Sequence, residues 1–189
     1  MSYKYFMNAL EIARSIMNKI ISFGDTVIDC TVGNGNDTLY LAKLVGSKGK
    51  VYGFDIQNKA LSLTQEKLTR EGLNDRVKLI HDGHEKLFKY IDEEVKFAIF
   101  NLGYLPGGDH SIVTRPDTTI LGIQNCIKIL SKNGIILIIC YTGHEGGLEE
   151  KNELEKYFSV INQKECNVLK FQFINQINSP PVLYGIEKL

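Results

Sequence analysis

The 189-residue sequence lacks several features that assign a chain quickly to a class of protein. It has no apolar run of about 18 residues, the length that a membrane-spanning helix needs, and no signal-peptide pattern at its start. It also has no charge surplus, because 22 acidic residues balance 22 basic ones, and it has no basic tail. Strong nonspecific binding of nucleic acid depends on such a surplus. These absences predict a cytoplasmic protein, and composition gives a nucleic-acid partner no support.

The four cysteines form no C-x-x-C pair. Cys30, Cys126, Cys140 and Cys166 lie far apart, and three of them stand inside apolar runs. This pattern favours buried free thiols over a metal site or disulfides. The sequence contains no internal repeat, linker or low-complexity segment, so the length predicts one domain with one substantial core.

The stretch 26–42, TVIDCTVGNGNDTLYLA, is the most informative part of the chain. Its apolar start predicts a buried strand, Gly33 and Gly35 break that strand, and the following spacing predicts a helix. A strand, a glycine turn and a helix form a ligand site at the carboxyl end of the strand. The glycines would let the backbone approach the ligand, and Asp29 would offer an acceptor. A turn whose glycines serve geometry alone fits the same pattern.

Two classes of cofactor use this turn, and the residues after the glycines help to separate them. A dinucleotide fingerprint needs a third glycine where this chain has Thr38, and Asp37 would repel a pyrophosphate. S-adenosylmethionine carries a sulfonium and an amino group but no phosphate, so it tolerates nearby carboxylates. The predicted cofactor residues of the turn are Asp29, Thr31, Gly33, Asn34, Gly35, Asn36, Asp37 and Thr38.

Two further predicted strands, 51–55 and 77–81, end in polar residues. Asp55 follows Gly35 at about the 20-residue distance at which an acid reaches a ribose diol, although an acid at such a position also serves as a helix N-cap. Asp82 is placed to accept the exocyclic amine of adenine, or is a plain turn aspartate, and His84 is alternatively a helix cap. The predicted cofactor residues of these two strand ends are Asp55, Ile56, Gln57, Asp82, Gly83 and His84.

Long loops follow the next two predicted strands, and loops at such positions concentrate function. The first loop, 101–110, follows the apolar strand 97–100, and the second, 141–150, follows the strand 135–141. A helix over 5–22 precedes the first strand, and two final strands, about 165–175 and 182–188, can pair as an antiparallel hairpin.

Five βα units followed by an antiparallel pair resemble the class I S-adenosylmethionine-dependent methyltransferase fold. That fold is a doubly wound, Rossmann-like α/β sheet, mostly parallel with an antiparallel C-terminal strand. Its usual D-x-G-x-G-x-G turn has Thr31 here at the first glycine position. This departure, with the extension GNGNDT, resembles a narrower group labelled rRNA methylases. Four other segments carry the same resemblance: NLGYLPGGD at 101–109, TRPDTT at 114–119, YTGHEGG at 141–147 and NSPP at 178–181.

The resemblance implies one methyltransferase domain over 1–189, with 1–24 covering the cofactor cleft, and S-adenosylmethionine as cofactor. The group that the sequence resembles is similar to bacterial enzymes that methylate the 5-aminomethyl group of 2-thiouridine at the wobble position of transfer RNA. The expected partner is therefore RNA, most specifically the anticodon loop, and a homodimer is compatible with the sequence. Four alternatives stay open: methylation of ribosomal RNA, methylation of a small-molecule amine, an NAD-dependent oxidoreductase, and a nonenzymatic protein that binds an adenosine ligand.

Methylation of an amine defines the roles that the two loops would have to fill. The acceptor lone pair must face the methyl carbon, and an alkylamine is mostly ammonium near neutral pH, so the site must desolvate it or supply a base. Asn101, which would also touch the cofactor, is expected to orient the acceptor, and Tyr104 to stack on the RNA base. The expected proton acceptors are Asp109, then His144, then His110, although Asp109 also fits ordinary turn chemistry.

Overall fold

A seven-stranded sheet runs through the centre of the protein. In this computed structural model, which describes residues 8–103, 105, 107, 113–143 and 146–189, strand order along the sheet is 3-2-1-4-5-7-6. The strands are Thr26–Asp29 (β1), Lys50–Asp55 (β2), Val77–His81 (β3), Val95–Leu102 (β4), Leu130–Cys140 (β5), Cys166–Phe171 (β6) and Val182–Lys188 (β7). Strands β1 to β5 are parallel, and β7 runs antiparallel to both β5 and β6. The predicted α/β methyltransferase sheet is confirmed.

Helices cover both faces of the sheet. The α-helices are Ala9–Ile20 (α1), Asn36–Val45 (α2), Asn58–Glu71 (α3), Pro116–Ile129 (α4) and Gly147–Ser159 (α5). Three short 3-10 helices span Gly46–Lys48, Asn74–Arg76 and His84–Lys89. Apolar residues of α1, α2 and α3 form a core on one face, and those of α4 and α5 form a core on the other.

The central strands are apolar throughout because both of their faces are buried. In β4, Phe97 and Ile99 face the core under α1 and α2, whereas Ala98 and Phe100 face the core under α4. All four side chains are fully buried. A parallel strand covered by helices on both sides therefore reads as a continuous apolar run, which is how the sequence showed it.

Several element boundaries differ from the predicted ones. Helix α1 begins at Ala9, where the Asn8 side chain accepts from the Glu11 N–H as an N-cap. Residues 5–7 of the predicted helix lie outside the described part of the chain. Strand β4 continues to Leu102, so Asn101 lies within a strand and not in a loop. Strand β6 ends at Phe171 instead of 175, because the segment before the two prolines leaves the sheet.

All four cysteines are buried and free, as their sequence positions indicated. Among the described residues, no helix combines the length and the apolar character that crossing a membrane requires.

Candidate active site

The predicted site residues gather where the strand order reverses, between β1 and β4. The register pairs Asp29 of β1 with Gly53 of β2 and with Ile99 of β4, so the carboxyl ends of these strands meet at one edge of the sheet. In open α/β sheets, such a switch point opens a crevice in which ligands bind. The glycine turn, residues 30–35, lies at this edge.

Both glycines of the turn have left-handed backbone conformations, with φ of 51° at Gly33 and 75° at Gly35. A Cβ on Gly35 would lie 2.7 Å from Cγ2 and 2.9 Å from Cβ of Thr64, a buried residue of α3. Gly35 is required by its backbone angle and by the packing of the turn on α3, and the backbone angle of Gly33 also favours glycine. Room for a ligand stays a prediction at both positions.

Asp55 ties the turn to the second strand. Its Oδ2 accepts the Gly33 N–H at 2.8 Å, and its Oδ1 accepts the Gln57 N–H at 2.8 Å. Gln57, and not Asp55, is the N-cap residue of α3, so the helix-cap interpretation is wrong. The ribose contact stays a prediction, because a carboxylate has about four lone-pair sites and two of them are used here. Ile56, which follows, is 58% exposed and offers an apolar surface beside this carboxylate.

Asp29 lies beneath the turn and has no exposed surface. Its Oδ2 accepts the Thr38 hydroxyl at 2.6 Å, and its Oδ1 accepts the Thr31 N–H at 3.1 Å. Burial, followed by the negative charge of Asp37, raises the pKa of Asp29 to about 7. The structure therefore places Asp29 and Thr38 where they brace the turn from within.

Thr31, at the position where related turns have glycine, connects the turn to β4. Its Oγ1 accepts the backbone N–H of Asn101 at 2.7 Å. A glycine could not make this bond. The hydroxyl therefore fixes the end of β4 against the turn, at the residue that the sequence predicts to orient the methyl acceptor.

Asp37 reaches the same residue from the other side. Its Oδ2 accepts from Nδ2 of Asn101 at 3.1 Å, and its Oδ1 is buried and has no hydrogen-bond partner among the described residues. Burial raises the pKa of Asp37, while the Asn101 amide and the Arg14 charge oppose that rise. Tyr141, at the end of β5, also faces this carboxylate: burial and the Asp37 charge raise its pKa.

Asp82, at the end of β3, forms several local contacts. Asp82 accepts from the Gly83 N–H at 2.9 Å, from Lys86 Nζ at 2.5 Å and from the Tyr90 hydroxyl at 2.9 Å. The Lys86 bond is the main cause that lowers the pKa of Asp82 to about 2. These contacts all lie in its own segment, as the turn-aspartate interpretation predicts.

His84 is a core residue and does not cap the next helix. Its Nδ1 lies 2.9 Å from the Cys30 carbonyl oxygen, and its ring packs edge-on against Phe100 with centroids 5.1 Å apart. Burial lowers its pKa, so the ring stays neutral. The neighbouring Gly83 is the N-cap residue of this 3-10 helix. A Cβ at position 83 would collide with the Glu85 side chain.

The two loops above the site share one buried support, Glu150 of α5. Thr114 closes the base of the first loop: its N–H donates to the Gly103 carbonyl at 3.1 Å, and its hydroxyl accepts the Gly103 N–H at 3.0 Å. The Thr114 and Thr119 hydroxyls donate to the two Glu150 carboxylate oxygens at 2.7 and 2.8 Å. Glu150 thereby joins the start of α5 to the base of the first loop.

Four of the residues predicted for acceptor chemistry lie outside the described residues: Tyr104, Asp109, His110 and His144. Leu105 is described and buried, and it packs near Gly33, which brings the first loop against the glycine turn. Lys59 of α3 adds a second link, since its Nζ donates to the Gly107 carbonyl at 3.0 Å.

Sequence reasoning missed three residues that support the site. Lys67 holds the turn by donating to the Asn34 carbonyl at 2.5 Å, Thr64 packs against Gly35, and Glu150 supports the loops. Only Glu150 had a usable signal: it shares the buried face of α5 with Leu154 and Phe158, at helical spacing. A carboxylate on an apolar stripe is unusual enough to mark it for attention.

These residues fit a positively charged cofactor that has an adenosine part. The carboxylates of Asp37 and Asp55 lie beside the turn, where they would repel a pyrophosphate, and the exposed Ile56 can cover a base. In the described part of the chain, no group of three acid, histidine or cysteine side chains could hold a metal ion. The carboxylates therefore suit a sulfonium or an ammonium.

Comparison with known proteins decides the class. A family model described as "Putative rRNA methylase" matches residues 51–187. The chain belongs to this rRNA methylase family. A relative from Arabidopsis thaliana, named tRNA (mnm(5)s(2)U34)-methyltransferase, chloroplastic, is 38% identical over 190 residues, which cover 95% of this chain and 69% of that protein.

Two solved structures of similar proteins agree with this assignment to the rRNA methylase family. An rRNA methylase from Clostridium thermocellum is 48% identical with a TM-score of 0.96, and a methyltransferase from Streptococcus mutans, solved in complex with S-adenosylhomocysteine, is 37% identical with a TM-score of 0.88. Both alignments cover 100% of each chain. This family member is an S-adenosylmethionine-dependent methyltransferase.

Proposed function

We propose that the protein methylates the 5-aminomethyl group of 2-thiouridine at the wobble position of transfer RNA. The observation that carries the proposal is the position of Asn101. This carboxamide stands at the carboxyl end of β4, beside the glycine turn, where its backbone is bonded to Thr31 and its side chain to Asp37. The name of the Arabidopsis relative supports the same acceptor.

The residues divide between cofactor and acceptor. We assign the adenosine part of the cofactor to Asp55 and Ile56 and the amino-acid part to the turn, 31–37. Bound S-adenosylmethionine supplies the electrophilic methyl group. We further propose that the edge of the adenosine pocket is formed by Gln57, Asp82 and Gly83, as the sequence predicts.

The acceptor amine has to lose a proton before its nitrogen lone pair can react. Asn101 orients the amine, and the loop that carries Asp109 supplies the proton acceptor, with His144 as the second candidate. Tyr104 stacks on the base. Burial of the acceptor would assist this step, because desolvation disfavours the charged form of an amine.

Recognition of the RNA cannot depend on phosphate contacts alone, because the chain has no net charge. We therefore expect the modified base and the adjoining anticodon loop to supply most of the specificity. The first loop follows β4, which carries Asn101, and the second follows the neighbouring strand β5. Glu150, in the helix after the second loop, accepts from Thr114 at the base of the first.

Single-turnover methyl transfer tests the proposal. The substrate is an anticodon stem-loop RNA that carries 5-aminomethyl-2-thiouridine, and the matched control RNA carries 2-thiouridine without the aminomethyl group. We expect transfer to the first RNA only, and Asn101→Ala should lower its rate strongly while S-adenosylhomocysteine still binds. Asp109→Ala should lose rate near pH 7 and regain part of it at about pH 9.5, where more free amine exists.

Transfer to ribosomal RNA or to a free alkylamine, with none to the aminomethyl RNA, would replace this substrate by one of the alternatives.

A cytoplasmic location and a homodimer stay predictions. Light scattering after size-exclusion chromatography measures the second, and the exposed edge strand β6, on which Leu169 is 54% exposed, is the surface to mutate if a dimer forms.

A further inference from the structure

The carboxylates of Asp29, Asp37 and Asp55, near the turn, differ in their hydrogen bonds. Both oxygens of Asp29 and both oxygens of Asp55 accept hydrogen bonds from the turn, from α2 or from the start of α3. Among the described residues, the one hydrogen bond of the Asp37 side chain comes from Asn101. Its other oxygen, Oδ1, is buried without a partner. Asp37 therefore does not brace the turn as the other two acids do.

The Asn101 atom that faces Asp37 is the amide nitrogen, Nδ2, at 3.1 Å from Oδ2. An ionised carboxylate favours this orientation, because it only accepts hydrogen bonds. The amide oxygen, Oδ1 of Asn101, is then turned away from Asp37. Within the described part of the chain, no group donates to that oxygen. It is free to accept from a ligand at the edge of the sheet.

The geometry points to Asp37 as a positioning residue for the acceptor. By accepting from Nδ2 of Asn101, Asp37 presents the Asn101 amide oxygen to the methyl acceptor, and the site thereby selects an acceptor that donates its own N–H, such as a primary amine. This inference rests on the proposed function, because it assumes that Asn101 contacts the acceptor. An acceptor atom without a hydrogen, such as a ring nitrogen of a base, would meet a second acceptor and be disfavoured.

The charged groups that face Asp37 keep this arrangement in place. Arg14 approaches from α1 and favours the carboxylate, whereas Asp29 lies beneath and Tyr141 lies at the end of β5. The backbone of Asn101 is fixed by Thr31, so the side chain has to turn about its own bonds to leave Asp37. Loss of the carboxylate charge would leave the amide free to adopt either orientation.

The variant Asp37→Asn tests the inference, because it keeps the shape and removes the obligatory acceptor. Residue 37 can then donate or accept, so the Asn101 amide is no longer held in one orientation. We expect kcat/KM for the aminomethyl RNA to fall about 10- to 100-fold, the range expected for one charge-assisted hydrogen bond. The Kd for S-adenosylhomocysteine, measured by calorimetry, should rise by a clearly smaller factor than kcat/KM falls, because the hydrogen bond of Asp37 is made to Asn101.

A double-mutant cycle with Asn101→Ala separates positioning from a general structural effect. If Asp37 acts through Asn101, Asp37→Asn should cost little more in the Asn101→Ala background, because residues that act as a unit are not additive. Additive losses would overturn the inference. A loss of S-adenosylhomocysteine affinity as large as the loss of rate would also overturn it, since Asp37 would then serve the cofactor.

Nuclear magnetic resonance provides a readout that needs no substrate. The side-chain amide signals of Asn101, identified by their disappearance in Asn101→Ala, should shift in Asp37→Asn; unchanged signals would overturn the contact. If the parent protein fails to methylate the aminomethyl RNA, the proposed function is wrong, and these signals still decide whether Asp37 holds Asn101. If the parent methylates it and Asp37→Asn does so equally well, only the inference is wrong.

Discussion

The hydroxyl of Thr31 accepts the backbone N–H of Asn101 at 2.7 Å, and this bond joins the carboxyl ends of β1 and β4. Thr31 occupies the position at which related turns have glycine. The substitution therefore has a structural consequence: the residue that departs from the usual motif is the one that attaches the cofactor turn to the proposed acceptor residue.

The first prediction is that Thr31→Val lowers both stability and methyl transfer. Valine has nearly the same shape but no acceptor, so the half-buried Asn101 N–H loses its partner, at a cost of about 1–3 kcal/mol. Thr31→Ser keeps the hydroxyl and is the matched control. Urea unfolding and single-turnover transfer measure the two effects. Equal behaviour of the valine and serine variants would contradict the role of the hydroxyl.

The second prediction concerns the packing of Gly35 on α3. Gly35→Ala should be more destabilising than Gly72→Ala, because both positions have φ near 70° but only Gly35 has a neighbour in the way of a Cβ. The double variant Gly35→Ala/Thr64→Ala should recover part of the difference, since it removes the obstructing methyl and hydroxyl groups. Thermal unfolding of the variants measures this. No recovery in the double variant would mean that the methyl and hydroxyl groups of Thr64 do not cause the difference.

The third prediction is a pH dependence of stability that originates from Asp29. Its folded-state pKa is raised from 3.8 to about 7, so the folded protein retains a proton that the unfolded chain releases. The parent should therefore lose stability relative to Asp29→Asn as the pH rises from about 4 to 7, by up to about 1.4 kcal/mol per pH unit, and the difference should level off above that window.

Urea unfolding of both proteins at several pH values measures this difference. Asparagine can replace the carboxylate, since its oxygen can accept the Thr31 N–H and its amide can donate to the Thr38 hydroxyl. A difference in stability that does not change with pH would show that Asp29 is ionised in the folded protein throughout.

The sequence predicted the fold well because periodicity and strand-end chemistry are local signals. The apolar runs of β4 and β5, the glycine turn and the acid at the end of β2 each followed from neighbouring residues. The placement of Asn101 in a strand was missed because a polar residue at the end of an apolar run does not show whether pairing continues. It does continue here: Asn101 pairs with Ile139 of β5.

The predicted site was less complete because its supports come from distant parts of the chain. The residues around Gly35 in the sequence do not indicate that Thr64 packs against it. Those around Asn101 do not indicate that its side chain bonds to Asp37. The position of Asp82 in the sequence suits a contact with adenine. The structure adds contacts that spacing did not predict, because Lys86 and Tyr90 donate hydrogen bonds to its carboxylate. Which donors bond to a carboxylate depends on three-dimensional geometry, and sequence spacing does not give that geometry.

The fourth prediction is that Asp55→Ala weakens binding of S-adenosylhomocysteine by about 1.5–3 kcal/mol, the value of a hydrogen bond to a charged group. Part of that loss comes from the turn, because the Gly33 N–H also loses its acceptor. Asp55→Asn is the informative control, since its amide oxygen can still accept from Gly33. Calorimetry with S-adenosylhomocysteine compares the two. If the alanine variant binds as tightly as the parent, Asp55 is not part of the cofactor site.

The last prediction separates support of the acceptor loop from binding of the cofactor. Thr114→Val removes the hydroxyl that accepts from Gly103 and donates to the buried Glu150, so the base of the loop loses two hydrogen bonds. We expect a loss of about 1–3 kcal/mol in the free energy of unfolding and a higher KM for the aminomethyl RNA.

The affinity of Thr114→Val for S-adenosylhomocysteine should stay unchanged, because the contacts that we assign to the cofactor lie on β1 and β2. Thr118→Val is the matched control, since among the described residues the Thr118 hydroxyl bonds only to the Arg115 carbonyl within its own turn. Steady-state kinetics with the RNA and calorimetry with S-adenosylhomocysteine measure the two sites separately. Equal KM values for the two valine variants would show that Glu150 and Thr114 stabilise the fold without shaping the acceptor site.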